Sequence, residues 1–194
     1  MKITNWLALG GFLIYAMLVI GCITRLTHSG LSITRWSLFG TLPPLNDNDW
    51  AELFRLYQNS PEYQKVNYGM ELEEFKSIYF WEYLHRMTGR LLGFVFLTGF
   101  LFFLVKRELN RSRLVRFSLL FFLGLLQGLI GWWMVKSGLV DKPAVSHYRL
   151  AVHLLSAFTL FGLTYWNYLI EKSAISQKQD CLLYTSPSPR DQRG

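Results

Sequence analysis

The chain is short of charge and nearly empty of cysteine. Only 17% of its 194 residues are Asp, Glu, Lys or Arg. Four stretches carry none of them: Asn5–Ile23, Leu91–Val105, Phe117–Val135 and Leu150–Ile170. The two cysteines, Cys22 and Cys181, are far apart in sequence, one in an apolar run and one in the tail. They imply neither a disulfide framework nor a thiolate metal site. No small-x-small cleavage site follows the first apolar run, so this run reads as a retained span rather than a signal peptide. No internal repeat is visible.

Apolar residues fill the space that charge leaves, at 51% of the chain. They come in blocks rather than at amphipathic spacing. A bilayer core of roughly 30 Å needs about 20 apolar residues as a helix. Three of the stretches meet that length, and the second is completed upstream through Ser77–Arg90. Four helices buried in a soluble core would need far more amphipathic covering sequence than this chain has. The fold class expected is therefore an all-α integral membrane protein, a four-helix transmembrane bundle.

The span limits follow. Residues 1–23 form span one, 24–76 an extracytoplasmic loop, 77–105 span two and 106–116 a cytoplasmic link. Residues 117–135 form span three, 136–148 a second extracytoplasmic link, 149–171 span four and 172–180 a cytoplasmic tail. Orientation comes from charge. Lys106, Arg107, Arg111, Arg113 and Arg116 crowd the short link against the single acid Glu108, while the much longer loop sets seven acids, from Asp47 to Glu74, against Arg25, Arg35, Arg55, Lys65 and Lys76. The positive-inside rule puts the short link and both ends of the four-span unit in the cytoplasm. The net charge of +7 is thus explained by topology, and a nucleic-acid role is not expected. Within the loop, Pro43-Pro44 and Ser60-Pro61 mark breaks. Asp49–Tyr57 and Glu71–Lys76 read as short interfacial helices, with Trp36, Trp50 and Trp81 suited to headgroup level.

All four histidines, His28, His85, His147 and His153, fall near the outer side. His85 and His153 enter spans that run in the same direction, at similar depth. Ligands on opposite faces of a porphyrin must share one level, and bundle interiors build cofactor sites from facing helices. Two polar side chains joined by interhelical hydrogen bonds remain the alternative. His85, Gly89 and Gly93 share a helix face that leaves room for a flat ring, and His153, Ser156 and Ala157 do something similar. Arg25, Arg86, Arg90 and Arg149 gather at the outer span ends, where guanidinium groups can pair with haem propionates or simply snorkel. Glu82 lies one turn before His85. It can orient the imidazole, pair with Arg86 or act on substrate.

These segments together resemble the haem A synthase family in its proteobacterial and mitochondrial branch. The matching residues are GCITRLTHSGLS at Gly21–Ser32, Pro43-Pro44, SPEYQKVNYGMELEEFKSIYFWEYLHRMTGR at Ser60–Arg90, QGLIGWWMVKSGL at Gln127–Leu139 and VSHYRLAVHL at Val145–Leu154. The resemblance implies oxidation of a methyl group of haem O to the formyl group of haem A, for cytochrome oxidase assembly. It implies eight spans in two similar four-helix bundles, each with a histidine pair, of which this chain is the amino-terminal one. His85 and His153 are then the iron ligands of the bundle that receives haem O, and Glu82 the catalytic glutamate. Haem b is expected in the other half. The expected partners are the bilayer, haem O synthase, an electron donor and a second copy of the chain. The setting is the bacterial cytoplasmic membrane or the mitochondrial inner membrane. Some relatives carry a cysteine pair in the first outer loop; Thr24–Lys76 has none, so no thiol step is supported.

Two other readings stay open. A bis-histidine b-type cytochrome acting as an electron-transfer anchor explains the histidines but not Glu82 or the long loop. A transporter half has only the span count in its favour. Finally, Cys181–Asp191 resembles the in-frame translation of a sequencing-library transposon adapter. That resemblance implies that residues 181–194 are foreign to the protein, that its natural sequence continues past Asp180, and that the chain alone is inactive.

Overall fold

The computed structural model describes residues 2–34, 43–139 and 143–184. Trp36 lies outside them, as do residues 185–194 of the adapter-like segment. Six helices follow one another: α1 Ile3–Leu26, α2 Asp47–Gln58, α3 Pro61–Lys65, α4 Leu72–Val105, α5 Arg111–Leu139 and α6 His147–Tyr184. No strand occurs among the described residues.

Local chemistry sets the helix limits. Asn46 caps α2 by accepting from the Asp49 N–H at 2.8 Å, and Asp47 and Asp49 favour the positive end of its dipole. Ser60 caps α3 in the same way through the Tyr63 N–H, with Pro61 in the first turn. Glu71 and Glu74 form a capping box at the start of α4. Glu71–Lys76 is therefore not a separate interfacial helix. With no glycine or proline from Leu72 to Thr88, it runs straight into the span as the first turns of α4. At 1.5 Å per residue, the 34 residues of α4 reach about 50 Å, well beyond a bilayer core.

α1, α4 and α5 are each long and apolar enough to cross a membrane. Phe12, Phe94, Phe122, Leu129 and Phe158 point outward from the long helices, which is tolerable only against lipid. The protein is an all-α integral membrane protein. α6 is longer still, but His153, Ser156, Thr159, Thr164 and Asn167 interrupt its apolar sequence. α1 packs against α4 and α6, and α5 against the same two helices. α4 and α6 thus lie diagonally, and their backbones nowhere approach within 8 Å.

Two buried cores lie at opposite ends. At the loop end, Tyr57, Phe75, Ile78 and Tyr79 join α2 to the first turns of α4. Trp50 lies edge-on to Tyr79 with centroids 5.2 Å apart, so it packs into this core rather than anchoring alone in headgroups. At the other end, Trp6, Leu7, Ile14, Phe103, Phe117, Leu120 and Leu160 draw on all four long helices. Here Gly99 is required by close approach, because a Cβ would overlap the Trp6 indole nitrogen. Buried Glu171 on α6 closes that end. It accepts from Arg113 at 2.7 Å and Arg116 at 2.9 Å, tying α6 to the start of α5.

Between the cores the packing changes. No residue is buried between Ile14 and Thr24 of α1, between Glu82 and Gly99 of α4, or between Leu120 and Gly138 of α5. The same holds in α6 from His147 to Leu160. Protein interiors are normally close-packed. A layer of lower burial common to four helices is the place to look for a ligand between them.

Candidate functional site

Both candidate ligands lie in this layer. His85 projects from α4, and its Cε1 stands 3.2 Å from the place where a Cβ on Gly21 of α1 would be. His153 projects from α6, and its Cε1 stands 3.0 Å from the corresponding place on Gly131 of α5. Each imidazole thus rests on a glycine of a neighbouring helix, and any larger residue there would push the ring away. The two histidines are near enough for their charges to interact. Helical spacing alone assigns the space below His85 to Gly89 and Gly93. The thioether of Met17 lies over Gly89, its Cε 3.4 Å from where a Cβ would be, and nothing lies within 4 Å of that place on Gly93, while the imidazoles themselves are admitted by Gly21 and Gly131. Both belong to motifs quoted for the family resemblance, but only the helix pairing shows which histidine each one faces.

The ring nitrogens differ in their surroundings. His85 Nδ1 is buried and has no hydrogen-bond partner among the described residues. Such an orphan costs about 1–3 kcal/mol and is tolerated mainly at functional sites. His153 Nδ1 lies 3.2 Å from Gln127 Nε2, which also donates to the His153 carbonyl at 2.9 Å. Gln127 is in turn held by Ser156, whose hydroxyl reaches its carbonyl oxygen at 2.5 Å. The chemistry of this donor set suits an iron porphyrin. Two imidazoles face a layer of lower burial from diagonal helices, and no cluster of three or more potential ligands offers a competing metal site among the described residues.

Glu82 is buried and fully engaged. Its Oε1 accepts from Arg86 Nε at 3.0 Å, and its Oε2 accepts from the Ser32 hydroxyl at 2.7 Å and the Ile33 N–H at 2.8 Å. Arg86 also donates to the Ile33 carbonyl at 3.2 Å. A buried ion pair is stable when further hydrogen bonds satisfy its remaining groups, as here. The carboxylate clamps residues 32–33 onto α4 and makes no hydrogen bond to His85 Nδ1. Ser32 closes a motif quoted for the family resemblance, but nothing in the sequence assigns it or Ile33 to Glu82. Their part depends on a contact across about fifty residues that no local pattern announces.

The other arginines are spread around the loop end. Arg149 donates to the Trp133 carbonyl at 2.8 Å and stacks over the Trp133 ring at 4.4 Å. Arg90 is half-buried one turn beyond Arg86, and Arg25 is exposed in the last turn of α1. His28 and His147 are both exposed, at the end of α1 and the start of α6.

Outside the spans, the cap holds a second buried acid. Glu62 accepts from the Tyr57 hydroxyl at 3.0 Å, and Asn67 donates to that hydroxyl at 2.7 Å. Burial pushes the Glu62 carboxyl up to about 7, opposed by the Tyr57 hydrogen bond and reinforced by the charge of Glu82. Burial likewise raises the Tyr57 hydroxyl above the ordinary phenol range.

Known proteins share this sequence. It is 53% identical over 165 residues to the "Heme A synthase" of Nitrosospira multiformis, covering 84% of this chain and 46% of that protein. It is 49% identical over 164 residues to the "Heme A synthase" of Flavobacterium psychrophilum, covering 83% and 48%. It is 50% identical over 165 residues to the "Heme A synthase" of Parvibaculum lavamentivorans, covering 84% and 48%. The chain spans about half the length of these curated relatives. No solved structure matches. The family model described as "Cytochrome oxidase assembly protein" matches residues 4–186, so helices, loop clamp and histidine layer all lie within the match. The chain belongs to the cytochrome oxidase assembly protein family.

Proposed function

We propose that this chain is the amino-terminal half of a haem A synthase, an oxidoreductase that converts the methyl group of haem O to the formyl group of haem A. The observation that carries the proposal is the layer of lower burial shared by four helices, with His85 and His153 entering it from diagonal positions. α6 serves as the fourth span, within the limits 149–171, and the unit is one of two four-helix bundles in an eight-span protein. The cap is extracytoplasmic, and both ends of the unit are cytoplasmic.

In this reading haem O is the substrate, and His85 and His153 would hold its iron. The glycines opposite each ring let the imidazoles lie close along the neighbouring helices. Glu82 acts at the rim of the site. Arg25, Arg86, Arg90 and Arg149 pair with propionates; for Arg86 this competes with Glu82, and for Arg149 with the Trp133 ring. The missing half contributes a haem b, and an electron donor and haem O synthase are the partners.

The test uses the full-length protein in membranes with haem O supplied, followed by haem extraction and chromatography. His85→Ala and His153→Ala should each abolish haem A formation and the haem bound by this half, since no equivalent ligand lies on the same helix face. His28→Ala and His147→Ala, at exposed sites, should retain both. Normal haem content and product in both ligand variants would exclude this site.

A further inference from the structure

The two candidate ligands differ in one respect that the proposed reaction does not explain: only His153 has a partner for its Nδ1. Gln127 and Gly131 lie four residues apart on α5 and so share a helix face. Gly131 receives the Cε1 edge of the His153 ring, and Gln127 meets the adjacent Nδ1. This fixes the ring plane along α5 and leaves Nε2 as the free nitrogen. Ser156, one turn along α6, donates to the far side of the Gln127 carboxamide, and the Val152 carbonyl 2.8 Å away is an alternative acceptor for the same hydroxyl proton.

The hydrogen count makes this contact informative. In the observed arrangement the carboxamide N–H groups serve the His153 carbonyl and the Nδ1 lone pair. The ring proton then sits on Nε2, where it would block a metal. A ligand nitrogen must be free of its proton, and a metal-bound imidazole normally donates its other N–H to an oxygen. Rotating the carboxamide by half a turn meets both requirements. Its oxygen then accepts from Nδ1–H, its N–H groups face Ser156, and the Ser156 proton turns to the Val152 carbonyl. The same rotation brings the amide oxygen beside the His153 carbonyl, so it is favoured only when Nε2 is otherwise engaged. A cavity of about 160 Å³ lined by Gln127, Ile130 and Ser156 gives the group room.

We propose that Gln127, seated by Ser156, is the positioning residue of His153: its carboxamide sets which imidazole nitrogen carries the proton, and it turns when Nε2 takes up the iron of a haem. The inference rests on His153 being an iron ligand. With iron held there, His153 would be the stronger donor of the two histidines, since a hydrogen bond donated by Nδ1–H raises the basicity of the ring and His85 Nδ1 has no partner among the described residues.

The test is spectroscopic, on purified full-length protein. The haem signal that His153→Ala abolishes defines the site. Gln127→Glu, which replaces the amide by a stronger acceptor, should move the midpoint potential of that haem to more negative values and shift its low-spin ferric resonance signals. Gln127→Leu should move the potential the other way and weaken haem retention by about tenfold or more, while Gln127→Asn should fall between Leu and wild type. Opposite shifts for Glu and Leu support the role, because general loosening would move both in one direction. Shifts of the same sign, or wild-type potential and retention in both variants, would reduce Gln127 to a packing residue. If His153→Ala itself leaves every haem signal in place, the ligand assignment fails, and this inference fails with it. Should Gln127→Leu not accumulate in the membrane, Gln127→Glu and Gln127→Asn give the same comparison.

Discussion

At the scale of single residues, Glu82 shows how a side chain can be legible in sequence while its surroundings are not. Its spacing from Arg86 and His85 is enough to expect an ion pair or a contact with the imidazole. The structure makes the ion pair and turns the other oxygen toward Ser32 and Ile33, so the carboxylate is also a structural clamp. Glutamine has one acceptor oxygen, so Glu82→Gln must set an amide N–H against either Arg86 or the Ser32–Ile33 donors. Haem A formation is expected to fall by at least about tenfold in that variant, with haem binding largely retained. Ser32→Ala separates the two roles, because it removes one hydrogen bond and keeps the charge. If Glu82 acts on substrate, Ser32→Ala should retain most of the activity. Equal losses in the two variants, measured as haem A yield at matched expression, would show that the clamp alone matters.

Among the helices, the cap that α2 and α3 form against the first turns of α4 holds a carboxyl that couples its stability to pH. Glu62 is buried beneath Tyr57 and Asn67, and its carboxyl is raised from 4.5 in the unfolded chain to about 7. The folded cap therefore binds the Glu62 proton more tightly than the unfolded chain does. The contribution of Glu62 to stability is greatest below about pH 4.5, declines as pH rises toward 7, and changes no further above that. The loss is on the order of a few kcal/mol, because each tenfold difference in proton affinity between the folded and unfolded chain corresponds to about 1.4 kcal/mol. Glu62→Gln retains an acceptor for the Tyr57 hydroxyl and cannot ionise. It should flatten the dependence between pH 4.5 and 7 and raise cap stability at pH 8. Limited proteolysis of the 46–70 region across that range, or Trp50 fluorescence during thermal unfolding, would read it. An unchanged pH profile in the variant would assign the dependence to another group.

Across the whole molecule, orientation is the expectation that the long helices leave open. Arg111 and Asn48 are both exposed and lie at opposite ends of α4 and its flanks. With cysteine placed at either position in a Cys22→Ser background, a membrane-impermeant thiol reagent applied to intact cells should label position 48 and spare 111. Labelling of 111 alone would show the topology reversed. The pairing of Arg113 and Arg116 with Glu171 does not alter the expectation, because acids contribute little to the orienting effect of basic links.

The amino-acid sequence by itself determined the class of this protein, the apolar helices, the family and the residues with chemical potential. Uncharged runs of span length have one stable setting in lipid, where every backbone polar group must bond within its own helix. The continuity of α4 is legible in principle, since nothing from Leu72 to Thr88 breaks a helix, yet its polar first turns, Glu71–Lys76, read as a separate interfacial helix. Only the tertiary structure decided which helices are neighbours and which face one another across the centre. That arrangement puts Gly21 beside His85, Gly131 and Gln127 beside His153, and Ser32 on Glu82. These contacts join residues far apart in the chain, and helical periodicity specifies a face of one helix without naming the helix that meets it.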